Sequence, residues 1–120
     1  MPKAWVAALA QNSVFLKSTK IIVRDADIQH ALRDSKKKSG TMLEPDFWEN
    51  LVIFWQKPDF VFLEKTAANP ALFLVFGKSH NVRKVVVLLN YNLGKKEFAN
   101  VVRTGKMVAL KNLSDAIGIA

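Results

Sequence analysis

The residues best suited to chemistry fall in three short groups: His30 with Arg33 and Asp34 in IQHALRD, Asn90-Tyr91-Asn92 in LLNYN, and Arg103-Thr104-Gly105-Lys106 in VVRTGK. Histidine titrates near neutral pH, arginine and lysine hold phosphate, and threonine and tyrosine hydroxyls hydrogen-bond it. Those types suffice to cut RNA without a metal: the ribose 2′-hydroxyl must lose a proton, the leaving 5′-oxygen must gain one, and the crowded phosphate charge must be stabilised. His30 is the proton-transfer candidate, because it lies off the apolar stripe of its helix, beside two charges that could orient it. Lys84, Arg103 and Lys106 are candidates to hold the scissile phosphate, Thr104 and Tyr91 to hydrogen-bond it, and Arg33, Lys37, Asn90 and Asn92 to contact the rest of the substrate. Each also has a plainer reading. A helix-face histidine can be idle, Lys36-Lys37-Lys38 can be a solvated helix end, the Arg103 segment an exposed strand face, and Tyr91 a core ring with its hydroxyl outside.

Other chemistries lack their residues. With no cysteine there is no disulfide framework, no cysteine-based zinc site and no thiol catalysis. The two histidines, His30 and His80, are far apart, and His80 in GKSHN reads as an ordinary loop residue. No phosphate-binding glycine loop, His-Glu-x-x-His, calcium loop or helix-turn-helix pattern occurs, so neither a metal nor a cofactor is expected.

The elements that must position these residues divide the chain in two. Its 120 residues, half of them hydrophobic, suit one domain with one core. The basic excess, 18 Lys plus Arg against 10 Asp plus Glu, marks a partner that is a polyanion. Residues 65–120 hold nine basic and two acidic side chains, and so +7 of the net +8. No apolar run approaches the roughly 18 residues of a membrane-spanning helix. Residues 1–19 read as a short helix or a docked arm, with Ser13 to Leu16 extended. Ile21-Ile22-Val23 is a strand, Asp25 an N-cap, and ADIQHALRDSKKK a helix stopped by Ser39-Gly40. Glu44-Pro45 opens a second helix with Phe47, Leu51, Phe54 and Trp55 on its apolar stripe. Then the period becomes that of strands, over 59–64, 71–76, 84–91 and 100–108, with turn formers between them. The expected fold is α+β: two N-terminal helices packed on a four-stranded antiparallel β-sheet, with a terminal turn from Leu113, Ala116 and Ile117.

This order of segments, VRDADIQHALRDSKKK, PDFVFLE, ALFLVF, KVVVLLNYNLGKK and NVVRTGKMV, resembles the barnase/EndoU/colicin/RelE-like ribonucleases, in particular their phage- and polymorphic-toxin-associated domains. The resemblance covers roughly residues 20–112. It implies a metal-independent endoribonuclease, a toxin domain cutting RNA, with tRNA the first expectation, to a 2′,3′-cyclic phosphate, and with an acidic immunity protein as partner. It would place the helix histidine of such domains at His30, the middle-strand polar pair at Asn90 and Tyr91, and the last-strand pair at Arg103 and Thr104. Such a domain is expected as a monomer that does not insert into membranes and acts in a target-cell cytoplasm after secretion or phage delivery. Two readings stand beside it: a non-catalytic nucleic-acid-binding or virion-associated interaction module, and an adaptor for an acidic protein.

Overall fold

A computed structural model describes residues 1–31, 43–65, 69–113 and 116–119; for His30, Ala31, Val52 and Phe54 it describes the backbone alone. The architecture is α+β. Helix α1 spans Lys3–Gln11, strand β1 Ile21–Val23, helix α2 Asp25–Ala31 and helix α3 Pro45–Phe54. Strands β2 (Phe60–Glu64), β3 (Ala71–Phe76), β4 (Asn81–Gly94) and β5 (Glu97–Ala109) follow. A single 3₁₀ turn at Leu110–Leu113 then leads to the short β6, Ile117–Gly118.

The N-terminal stretch is a docked helix. Trp5 and Leu9, four residues apart, are both buried, and Trp5 meets Trp55 edge to face at 6.1 Å. Ser13 ends the helix in the left-handed conformation (φ 64), its N–H bonding Ala10 O while Val14 N–H reaches back to Leu9 O at 2.9 Å. That is a Schellman stop without the usual glycine, which is why no sequence signal marks it.

The expected antiparallel meander is present as β2, β3, β4 and β5, but the sheet is larger than expected. Among the described residues it has six strands in the order β1-β5-β4-β3-β2-β6. β1 lies parallel to β5, Ile21 opposite Asn100 and Val23 opposite Val102, so the sheet is mixed. The expected terminal turn is followed by β6, which pairs with β2 through Phe62–Gly118 and Leu63–Ile117. Nor is Asp25 the cap of α2: it is the first helical residue, and the carbonyl of Arg24 accepts from the N–H groups of Asp27 and Ile28. Pro45 does open α3, with Asp46 in its first turn.

Consecutive strand residues serve opposite faces. Leu72, Leu74, Val85, Val87 and Val102 share the main core with Trp5, Leu9, Trp48 and Leu51 of α1 and α3, and Ile28 of α2 packs at its margin. Val75 and Val82 belong to a smaller cluster with Leu113 on the other face. Gly105 is required where β5 runs beneath α3: a Cβ there would lie 2.8 Å from both Leu43 Cδ1 and Trp48 Cη2. No helix among the described residues is long and apolar enough to cross a membrane.

Candidate functional site

The site is built where β1, α2, β4 and β5 meet. Arg24 sits between β1 and α2, and its Nε is 2.7 Å from Oδ2 of Asp27, one helical turn on. Asp27 is a buried carboxylate at 8 % exposure, and its second oxygen lies 3.6 Å from Nη1 of Arg103 on β5. A buried charge is tolerated when it is paired, and here one carboxylate serves two guanidiniums. Both guanidiniums also flank Tyr91 on β4: Cζ of Arg24 is 4.9 Å from the ring centroid and Cζ of Arg103 is 5.9 Å away.

Two breaks in the β4–β5 ladder make this possible. Val86 pairs with Thr104 and Val87 with Val102, so Arg103 is an extra residue in a β-bulge. Leu88 pairs with Val101 but Tyr91 with Ala99, so β4 carries an extra residue there, with Asn90 left-handed at φ 55. A bulge changes the phase of the strand and re-aims the next side chain. In the order of the chain alone, Arg103 and Tyr91 are members of two regular alternations; in the ladder Arg103 reaches both Asp27 and the Tyr91 ring.

The electrostatics favour anions. Hydrogen bonding from Arg24 first, and from Arg103 second, holds the Tyr91 phenol below the ordinary tyrosine range, because both guanidiniums stabilise the phenolate. Arg24 is pushed the other way, above its usual value, chiefly by its bond to Asp27. Two permanent cations against one carboxylate leave net positive charge beside a partly exposed phenol.

Of the residues expected from the sequence to form the site, Tyr91 and Arg103 are brought together. The backbone of His30 lies one helical turn after Asp27 on α2, its side chain being outside what is described; Arg33 and Lys37 lie outside the described residues. Lys84 and Lys106 oppose each other across β4 and β5, and the Lys84 ammonium stands 4.4 Å from the Phe73 ring centroid. Thr104 opposes Val86 on the same ladder. The Asn90 side chain clasps the segment after α1, accepting from Lys17 N–H at 2.8 Å and donating to Phe15 O at 3.0 Å. Asn92 accepts from Gly94 N–H and shapes the hairpin end. His80 carries the carbonyl that accepts from Leu110 N–H, a backbone role in the loop before β4.

Arg24 and Asp27 were missed from sequence, where VRDAD reads as a strand end and a helix start. The one signal was their i, i+3 spacing across that boundary. A concavity of about 330 Å³ opens at the other end of β4 among Glu44, Asp46, Phe47, Asn50 and Arg83. There Arg83 Nη2 and Nε meet Glu44 at 3.1 and 3.3 Å, and the pair lowers the Glu44 carboxyl below its usual range. Among the described residues no three His, Asp or Glu side chains are grouped to share a metal ion. Comparison with protein-family models, curated proteins and solved structures gives no match.

Proposed function

We propose that this chain is an endoribonuclease of the barnase/EndoU/colicin/RelE-like kind that needs no metal. The observation that carries the reading is Tyr91, a phenol held between two guanidiniums that share one buried carboxylate. The central meander with α1 and α3 packed on one face accords with that superfamily. So does the cation excess of residues 65–120.

In the proposed reaction the scissile phosphate sits on Arg24 and Arg103. The Tyr91 phenolate takes the proton of the ribose 2′-hydroxyl, and the freed oxygen attacks phosphorus. The bond to the 5′-oxygen breaks, and that oxygen leaves with a proton, for which His30 is the proposed donor. The products are a 2′,3′-cyclic phosphate and a 5′-hydroxyl. The guanidiniums stabilise the charge that builds on the phosphoryl oxygens, work that fixed charges do without reorganising. Asp27 is a positioning residue, since it touches both arginines and not the phosphate. As a toxin domain the chain would act on RNA in a target cell, tRNA first, and an acidic immunity protein would cover the same cations.

Total tRNA incubated with pure protein in EDTA tests the reading. Accumulation of fragments ending in 2′,3′-cyclic phosphate is expected, and intact RNA at high protein excess would overturn it.

A second reading draws on the distribution of charge, because residues 65–120 carry +7 of the net +8. On that reading the sheet binds RNA or DNA with steep salt dependence and cuts neither.

A further inference from the structure

Phe15 is 70 % exposed, a large apolar side chain left in water on a segment whose backbone is bonded to Asn90, the neighbour of Tyr91 in the chain. Single exposed apolar side chains are common on protein surfaces. This one differs in how firmly its backbone is held. Asn90 Nδ2 donates to Phe15 O, Asn90 Oδ1 accepts from Lys17 N–H, and Asn100 Nδ2 donates to the carbonyls of Ser18 and Lys20 at 2.8 and 3.0 Å. Asn100 is fully buried, and its own N–H bonds Lys20 O at 2.9 Å. Residues 15–20 are therefore fastened along the β4–β5 hairpin by two side-chain amides, one of them, Asn90, adjacent in the chain to Tyr91. The Lys17 ammonium stands 3.9 Å above the Phe98 ring, and Phe98 opposes Asn92, the residue after Tyr91.

An exposed aromatic side chain, on a backbone fastened to the strand that carries Tyr91 and two residues before Lys17, suits an unpaired nucleotide: the base stacks on the ring while its phosphates meet the cations. Duplex RNA offers no free base face, so such a ring selects single-stranded loops and ends. We infer that Phe15 is a base-stacking subsite for an unpaired nucleotide flanking the phosphate held by Arg24 and Arg103, with Lys17 contacting the backbone of that nucleotide. This inference rests on the proposed RNA-cleaving function and narrows its substrate to unpaired segments.

The test is equilibrium binding, by fluorescence anisotropy, of a short unstructured 2′-O-methyl RNA, which has no 2′-hydroxyl to react, and of the same strand annealed to its complement. Phe15→Ala should weaken single-strand binding about 10-fold, the loss of one base–aromatic stack. It should change duplex binding little, and Phe15→Trp should restore the single-strand affinity. Unchanged single-strand binding by Phe15→Ala, equal losses on single strand and duplex, or the same loss on phosphatidylserine vesicles would each overturn the assignment, as would wild-type protein that binds neither RNA. Cleavage of tRNA by the wild type is scored separately. Cleavage with no Phe15 effect defeats the subsite alone, whereas a Phe15 effect on binding without any cleavage defeats the enzymatic reading and leaves the subsite standing.

Discussion

The two ends of β4 carry the same three ingredients, an arginine, a carboxylate and an aromatic ring, and put them to opposite use. At one end Arg83 forks onto exposed Glu44 and lies 5.7 Å from the Phe47 ring centroid. One cation meets one anion there, and the pair is a neutral clasp between the strand and the start of α3. At the other end Arg24 and Arg103 share the single, buried Asp27 around Tyr91. Charge is left over, and a phenol sits inside it. Stoichiometry and burial, and not residue type, separate the neutral ion pair from the proposed anion site.

The sharpest way to break that contrast is Tyr91→Phe. It removes one oxygen from a partly exposed side chain, so the thermal midpoint should hardly move, while RNA cleavage falls by about 100-fold or more if proton transfer rests there. Cleavage retained by this variant would make the Tyr91 end no more catalytic than the Arg83 end.

Asn100→Ala probes what holds the Tyr91 end in shape. The buried amide donates to Ser18 O and Lys20 O and accepts from Asn90 N–H; the variant removes all three bonds, and Lys20 O keeps the Asn100 backbone N–H. A stability loss of about 1–3 kcal/mol is expected in urea unfolding.

The pH profile of cleavage sharpens the contrast further. Measured with His30→Ala, so that the proposed acid adds no opposing limb, the residual rate should rise with pH up to the pKa of the Tyr91 phenol, which Arg24 and Arg103 hold below the ordinary value near 10. Arg24→Ala should move that inflection upward, whereas Arg83→Ala should leave it where it is.

The smallest effect belongs to Arg83→Ala. Cleavage should be unchanged, and stability at neutral pH should fall by no more than about 1 kcal/mol, as for exposed pairs generally. Because Arg83 lowers the folded Glu44 pKa, the pair's contribution is present above pH 4.5 and is lost as pH falls through the depressed value. An NMR titration of the variant should show Glu44 back near its ordinary value.

Much of the scaffold is legible in the order of residues. Period-two alternation marks β2 through β5, Glu44-Pro45-Asp46 marks the start of α3, and the count of lysines and arginines marks the basic second half. The site is less legible. Tyr91 and Arg103 stand out by type, but their meeting depends on two shifts in strand register that alternation cannot reveal. Arg24 and Asp27 look like a boundary, since nothing local says that Asp27 will be buried. Asn90 looks like a ligand-binding amide, and its partners are 73 and 75 residues away in sequence.

The sequence by itself determined the α+β class, the antiparallel meander and the basic second half, because periodicity, turn formers and charge act locally. Tertiary structure decided that β1 joins β5 in parallel, that Ser13 stops α1, and that Arg103, an extra residue in a bulge, meets both Asp27 and Tyr91. Those features rest on hydrogen bonds and charges between residues far apart in the chain, whose free energy exists only once the strands are side by side.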